Sequence, residues 1–348
     1  MVIVKLTLIT KKMKKNDFRN FVGIDVSKLT LDVVFIFEKE INQAVHHQFS
    51  NDVKGIKKLQ GVLKKQKSVN TENTLICMEN TGVYGKVLSS TLFEKQWFVW
   101  VETPVTIFRS MGLQRGKNDK VDAKRIALYA MKNQEQAKSW EAPRKEVANL
   151  RQLLNTREAL IKALKGLLVS ISEYKETGNK ELSEMMKATT GNAIRGIKKD
   201  IKKIEEAIDE IVKNDLELSN LFRLVTSIPG IGRITSTELI CYTNEFKNYT
   251  EAKKLACYCG VVPFEHSSGT SVRGRTRVSH MANKPLKTKL HLCAIVAMQC
   301  DPELKSYYER KVKEGKNKMS VINAIRNKLV HRVIAVVKRQ TPFVKMAA

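Results

Sequence analysis

Four acidic residues stand at places where a carboxylate has a chemical use. Asp25 ends the apolar run of GIDVSK, Glu79 ends that of TLICMEN, and Asp119 and Asp122 lie three apart in KNDKVDAKRIA. Taken one at a time, Asp25 is also explained as a turn residue and Glu79 or Asp119 as a cap. A carboxylate at the end of a buried strand is costly unless it binds a metal or accepts hydrogen bonds. Together the four predict a Mg²⁺ site, with Mn²⁺ as the alternative, that acts on a phosphodiester.

A polar segment in the second half of the chain could supply a nucleophile. The segment EHSSGTSVRGRTRVS holds two adjacent serines, Ser267 and Ser268, and His266 before them is a candidate proton acceptor. Guanidinium groups neutralise phosphate oxygens, and three alternate along the following residues: Arg273, Arg275 and Arg277. The alternative interpretation of the segment is a flexible polar turn.

The elements that must position the acids follow from hydrophobic patterning. Three apolar runs between Phe21 and Asn51 predict three antiparallel strands joined by short turns. The run TLICMEN and the run WFVWVE predict two further strands, with helices between and after them. This order predicts an α/β domain with a mixed five-stranded sheet, as in a ribonuclease-H-like fold.

From Leu150 the apolar period becomes helical. Isoleucines then step by three and four along a second stretch: Ile194, Ile197, Ile201, Ile204, Ile208 and Ile211. This seam predicts two long helices in a coiled coil, either as an antiparallel hairpin or as a zipper between two chains. Lysines outside the seam lie on a face that is either solvated or turned towards nucleic acid.

A Gly-rich turn opens the last, mainly α-helical region. The segment SIPGIGRITSTELI resembles a helix-hairpin-helix turn, which directs backbone N–H groups at a phosphate, with Arg233 beside it. An ordinary turn between helices is the alternative. The chain is thus divided into a flexible basic N-terminus (1–20), a catalytic domain (21–145), a coiled-coil connector (146–218) and a C-terminal domain (219–348).

The charge of the chain implies a polyanionic partner. The 348 residues include 62 Lys and Arg against 35 Asp and Glu, a formal charge of +27. DNA, RNA and an anionic membrane are all polyanions. The alternative is a basic surface that is only solvated and binds no partner. No stretch approaches the ~18 uninterrupted apolar residues of a spanning helix, so we expect no membrane partner and a cytoplasmic, nucleoid-associated protein. Lysines beside the acids are the predicted nucleic-acid contacts of the first domain: Lys28, Lys120 and Lys124.

The motifs GIDVSK, MENTG and KNDKVDAKRIA, in this order and spacing, resemble those of the DEDD transposases of the insertion-sequence-110 family. The resemblance continues through PGIGRITSTELI, LACYCGVVP and EHSSGTSVRGRTRVS, and so covers the chain from Phe21 to about Gln299. One departure is Ala282, where the family usually has glycine before the asparagine that is here Asn283.

The resemblance implies a RuvC-like domain whose metal-binding tetrad is Asp25, Glu79, Asp119 and Asp122. It also implies that Ser268, with Ser267 as the rival assignment, attacks a DNA phosphate and forms a covalent phosphoserine link, which a hydroxyl of another strand then reverses. A structured guide RNA that pairs with donor and target DNA is implied as a further partner. The +27 charge suits two nucleic acids but would also be met by DNA alone.

These features are compatible with three functions. The first is an RNA-guided recombinase that acts as a homo-oligomer, a dimer or tetramer built through the coiled coil, with acids and serine from different subunits in one site. The second is a metal-dependent Holliday-junction-type endonuclease in which Ser268 is structural. The third is a nucleic-acid-binding or architectural protein without catalysis.

Overall fold

The structure, a computed structural model, describes residues 18–112, 118–269 and 271–344, without the side chains of Ser268, Val272 and Arg275. It divides into two compact units, Met1–Ala142 and Pro143–Ala348. Most of the N-terminal segment 1–20, predicted to be flexible, lies outside the described residues. The finer division at residues 145 and 218 stays a prediction.

The first unit is built on one mixed sheet with the strand order β3-β2-β1-β4-β5. β1 pairs antiparallel with β2 and parallel with β4, β2 pairs antiparallel with β3, and β4 pairs parallel with β5. The mixed five-stranded sheet predicted from the apolar runs is confirmed and is consistent with a ribonuclease-H-like domain. Its strands are β1 (Asn20–Val26), β2 (Thr30–Ile36), β3 (Val45–Ser50), β4 (Thr74–Glu79) and β5 (Phe98–Glu102).

Helices cover both faces of this sheet. One face buries Ile24 and Met78 against the first two helices, and the other buries Phe21, Cys77 and Trp100 against the fourth. The third helix was not predicted; Pro104 occupies its first turn and the Thr103 side chain caps it. The helices are α1 (Val53–Lys65), α2 (Lys86–Glu94), α3 (Pro104–Ser110) and α4 (Asp119–Lys132).

The second unit begins with two long helices, α5 (Lys145–Glu176) and α6 (Lys180–Asn214). They run antiparallel, because Arg157 of α5 pairs with Glu205 of α6 at 2.6 Å and the Ser183 hydroxyl of α6 donates to the Ile171 carbonyl of α5 at 3.0 Å. The hairpin is therefore the alternative that this chain adopts within itself, and a coiled coil between chains stays a prediction. The isoleucine seam is half-buried along most of α6 and becomes buried at Ile208.

An ion cluster fixes the base of this hairpin. The Arg144 guanidinium donates to the carboxylate of Asp215 at 2.7 Å and to that of Glu245 at 2.5 Å. The Glu245 side chain is only 2% exposed, and Lys247 is its second cationic partner at 3.1 Å. Because Asp215 also caps the following helix, one arginine joins both ends of the hairpin to the helical body.

The remaining elements form one helical core and a two-stranded ribbon. The core gathers buried side chains from α5 to α12, among them Leu224, Leu239, Leu255, Leu290 and Leu329. The prediction of a mainly helical region missed the ribbon, since the polar serine segment forms two strands. The elements are α7 (Leu216–Thr226), α8 (Arg233–Tyr242), α9 (Ala252–Tyr258), β6 (Pro263–Ser268), β7 (Val272–Val278), α10 (Lys284–Cys300), α11 (Pro302–Lys313) and α12 (Lys318–Arg339).

Candidate active site

Two of the predicted acids lie at the same end of neighbouring parallel strands. The register pairs Ile24 of β1 with Met78 of β4, one residue before Asp25 and Glu79. Side chains two apart on a strand share a face, so Asp25 lies on the face of Gly23, and Glu79 on that of Cys77. Both face the α4 side of the sheet. Asp25 does not make the β1–β2 turn, which Ser27 and Thr30 close through a 2.7 Å contact between their hydroxyl groups.

A glycine brings the other two acids to this place. The backbone of α4 crosses Gly23 so closely that a Cβ there would lie 2.2 Å from the Ala123 carbonyl oxygen and 2.2 Å from the Ala127 nitrogen. Ala123 follows Asp122 directly, so this contact holds the first turn of α4 beside the end of β1. The cap of α4 is Asn118, whose side chain accepts from the Lys120 N–H at 3.0 Å. Asp119 is therefore not needed as a cap.

The pKa of Asp25 is consistent with the other acids lying close to it. Burial raises the pKa of Asp25 to about 6, and the negative charges of Asp119, Asp122 and Asp32 act in the same direction. Like charges raise the pKa of a carboxyl because they disfavour its ionised form. A cation placed among these groups would relieve that repulsion.

The acids are not assembled into a closed metal cage. Within the described ranges, no three His, Cys, Asp or Glu side chains are close enough to hold one ion together. Asp122 is instead paired with Arg125, with 2.7 Å between Nη1 and Oδ1. Carboxylate oxygens are the ligands that Mg²⁺ prefers, and their charges repel one another here. The side chains therefore fit a divalent cation in donor type and in charge, while one oxygen of Asp122 is already engaged by Arg125.

A fifth acid was missed by the sequence reasoning. Asp32 of β2 pairs in register with Asp25 and is only 4% exposed. Its carboxylate lies 2.8 Å from Nε2 of His46 and accepts from Nε2 of Gln48 at 3.2 Å. The available signal was an aspartate inside the buried run TLDVVFI. On the far side, Glu102 of β5 pairs in register with Glu79, so acids line the same end of four strands.

The predicted basic contacts of the first unit are exposed. Lys28 lies in the turn after β1, and Lys120 and Lys124 lie on the first turns of α4. Each lies within three residues of Asp25, Asp119 or Asp122, and a role in holding a nucleic-acid backbone stays a prediction.

The serine segment is an exposed ribbon. Ser267 pairs in register with Arg273, and Ser268 with Val272. Ser267, Arg273 and Arg277 are exposed, whereas the side chains of Ser268 and Arg275 lie outside the described part of the structure. The two strands of the ribbon lie close together at Gly274, where a Cβ would lie 3.0 Å from the His266 carbonyl oxygen and 3.0 Å from Nδ1 of the same residue.

The Gly-rich turn joins α7 to α8, an arrangement that suits both the helix-hairpin-helix interpretation and that of an ordinary turn between helices. Gly230 has φ +88°, and a Cβ there would meet the Cys293 carbonyl at 2.6 Å, so one side of the turn packs on α10. Arg233, a predicted nucleic-acid contact, forms an ion pair with Asp209 of α6. Both side chains are about half exposed, and such surface pairs are weak.

The departure at Ala282 has a local structural counterpart. A Cβ on Gly260, which has φ +64°, would lie 2.3 Å from the Cβ of Ala282. Asn283 caps α10 by accepting from the Leu286 N–H at 3.0 Å and donates to the Tyr258 hydroxyl at 2.9 Å. Ala282 therefore packs against Gly260, which has no side chain in the way, and Asn283 still caps α10.

Comparison with known families decides the class of protein. The model described as the IS116/IS110/IS902 transposase family matches residues 222–309, and the DEDD transposase model of the IS110 type matches residues 22–173. The chain belongs to the IS110/IS116/IS902 family of transposases. The match over residues 22–173 contains Asp25, Glu79, Asp119 and Asp122, and the match over residues 222–309 contains Ser268.

Individual relatives extend this match along the transposase. It is 29% identical over 331 residues to the pilin gene-inverting protein of Moraxella bovis, covering 94% of this chain and 98% of that protein. It is 25% identical over 224 residues to the transposase for insertion sequence element IS1111A of Coxiella burnetii, covering 53% and 61% of the two chains. The transposase is accordingly an enzyme of DNA transposition or recombination. No helix within the described ranges is long and apolar enough to cross a membrane.

Proposed function

We propose that this transposase cuts and rejoins DNA strands with a divalent cation, Mg²⁺ or Mn²⁺, held by Asp25, Glu79, Asp119 and Asp122. Ser268 is the proposed nucleophile, and a guide RNA the proposed source of target choice. The proposal depends above all on one observation: acids from separate elements face one side of one sheet edge, where α4 crosses Gly23.

The acidic edge gives the first half of the proposed chemistry. A divalent cation bound there would stabilise the negative charge that develops on the phosphate oxygens when a phosphodiester bond is broken. Asp25 and Glu79 are positioned by rigid strands, and Asp119 and Asp122 by the first turn of a packed helix. Arg125 keeps Asp122 neutralised until the site is used, while Lys28, Lys120 and Lys124 hold the DNA backbone.

The serine ribbon gives the second half. The Ser268 oxygen forms a bond to phosphorus, and the bond from phosphorus to the leaving sugar oxygen breaks. The serine proton passes to a base, for which His266 is the candidate, and the leaving oxygen takes up a proton. A hydroxyl of another strand then attacks the phosphoserine and releases the serine. Arg273, with Arg275 and Arg277, neutralises the phosphate oxygens during both displacements.

A pair of serine variants tests the nucleophile. We expect Ser268→Ala to abolish strand exchange and to leave no covalent protein–DNA product after denaturation. Ser267→Ala is the matched control, because it removes the same hydroxyl one residue earlier and should retain both. Strand exchange by Ser268→Ala would contradict the serine mechanism and favour a metal-dependent endonuclease.

A pair of acid variants tests the metal site. Asp25→Asn and Asp122→Asn should remove cleavage in Mg²⁺ and in Mn²⁺, and Glu72→Gln, a change of an exposed acid of the same unit, should not. Intact cleavage by both aspartate variants would contradict the proposed metal site.

The guide RNA and the oligomer are supported by the family resemblance, by the charge of +27 and by the isoleucine seam of α6. Recombination should need an RNA encoded beside the gene that folds into loops complementary to the element ends and the insertion site. Recombination at full rate by RNA-free protein would contradict the guide. Full activity of a strictly monomeric protein in light scattering would contradict the oligomer, with its shared site.

A further inference from the structure

Three nitrogen-bearing side chains meet between α10 and α12. Lys287 and His291 lie one turn apart on α10, and Arg326 faces them from α12. The Arg326 residue is only 7% exposed, and its Nη2 lies 2.6 Å from Nδ1 of His291. We call Lys287, His291 and Arg326 the α10–α12 cluster.

The cluster can only donate hydrogen bonds to a further partner. A guanidinium has no acceptor atom, so Nδ1 of His291 must accept the bond from Arg326. The histidine is then neutral and carries its proton on Nε2, which is a donor. The Lys287 ammonium is likewise a donor only.

No acid balances these groups. In the part of the chain that the structure describes, none of the three side chains forms an ion pair with Asp or Glu, and Nε of Arg326 is buried without a hydrogen-bond partner. Burial lowers the pKa of Arg326, of Lys287 and of His291, and the charge of Arg326 lowers the pKa values of the other two further. A buried charge without a partner is strongly destabilising, so an anionic ligand would have a large effect here.

The cluster adjoins the segment that leads into the serine ribbon. A Cβ on Gly260 would lie 3.7 Å from Nζ of Lys287, and Asn323, one turn before Arg326, donates to the Val261 carbonyl at 2.8 Å. Residues 260–262 run directly into β6. A ligand held by the cluster would therefore lie at the base of the ribbon.

We propose that the α10–α12 cluster binds a phosphodiester group of a nucleic-acid strand, separately from the serine and the acidic edge. The partner class rests on the proposed function, since a transposase of charge +27 meets phosphate backbones before other polyanions. An acidic protein segment is the rival ligand. DNA and RNA share the phosphodiester chemistry, and the test separates them.

Binding, rather than recombination, tests this site. We would measure the affinity of the full chain for a labelled DNA duplex and for an RNA of the same sequence across a series of salt concentrations. Lys287→Ala should weaken binding to one or both by about tenfold and should lower the salt slope by roughly 0.9, the share of one phosphate contact. Lys305→Ala is the matched control, because it removes the same charge from an exposed position on α11 and should change neither quantity comparably.

A second measurement covers the buried arginine. Inorganic phosphate should raise the melting temperature of the wild type more than sodium chloride of equal ionic strength does. Lys287→Ala and Arg326→Lys should lose this difference, and Lys305→Ala should keep it. Lys287 is half-buried, so Lys287→Ala tests the cluster even if a change of the buried Arg326 prevents folding.

The outcomes separate the two proposals. A loss confined to DNA, or to RNA, supports the site and identifies which strand occupies it. The proposal is overturned if Lys287→Ala and Lys305→Ala have the same affinity and salt slope with both nucleic acids. It is also overturned if Lys287→Ala weakens the binding of poly-glutamate alone. A wild type that never recombines DNA but shows the Lys287 effect would refute the serine and metal mechanism and leave the phosphate site standing.

Discussion

Replacing Gly23 by alanine tests whether α4 really rests on the backbone of β1. The added Cβ would lie 2.2 Å from the Ala123 oxygen and 2.8 Å from the Ala127 Cα, whereas real Cβ contacts essentially never fall under 3.0 Å. The two elements must therefore separate by about 1 Å. Overpacking of this kind typically costs about 2 kcal/mol of unfolding free energy.

The same displacement acts on chemistry. Since α4 carries Asp119 and Asp122, a shift of about 1 Å moves two of the proposed ligands relative to Asp25. Misplacement on that scale costs about 100-fold in rate. We expect Gly23→Ala to lose both stability in urea unfolding and most of its metal-dependent strand cleavage.

Gly61→Ala is the matched control for this change. Gly61 lies inside α1, where a Cβ would meet no described atom within 4 Å apart from the adjacent backbone of the helix itself. Alanine in a helix interior is favoured over glycine by about 0.5–1 kcal/mol, so this variant should be slightly more stable and fully active. A Gly23→Ala protein with wild-type stability and cleavage would refute the contact and, with it, the positioning of the acids.

Three further outcomes follow from the same contacts. Folding raises the pKa of Asp25 to about 6 from the ordinary 3.8. The protonated Asp25 therefore stabilises the folded state fully below pH 4, and this stabilisation is lost as the pH rises through 6. In metal-free buffer Asp25→Asn should flatten that decline in the free energy of unfolding, and an unchanged slope would contradict the clustering of the acids. Mg²⁺ should raise the melting temperature of the wild type and not that of Asp25→Asn, as scanning calorimetry with a chelator control can show. Arg144→Ala should cost about 2 kcal/mol in urea unfolding, because it removes a partner of the buried Glu245, whereas the exposed Arg195→Ala should cost almost nothing.

The hydrophobic pattern of the sequence predicted the strands and long helices better than it predicted which side chains meet. The five strands and the paired long helices could be located because alternation and heptad spacing are repeated many times along the chain. Asp32 was missed because a single acid in an apolar run gives no sign of what lies across the sheet. Its neighbours His46 and Gln48 come from another strand, and only the register brings them together.

Other differences also arise from tertiary contacts. The serine segment resembles a loop, since its residues are polar and include glycine, yet cross-strand pairing makes it a ribbon. Arg233 was singled out for its place beside a turn, but its partner Asp209 belongs to a distant helix. The Lys287, His291 and Arg326 grouping had no local signature, because its members are ordinary residues of two amphipathic helices.

The pairing of α5 with α6 also constrains how the length of the two helices can change. At 1.5 Å per residue, 32 and 35 residues extend for roughly 50 Å. Taking one heptad from each arm would shorten the pair by about 10 Å and keep the isoleucines in register, whereas taking two residues would swing the tip by about 200°. A change of seven residues in each helix thus alters the length of the pair and keeps its apolar seam in register.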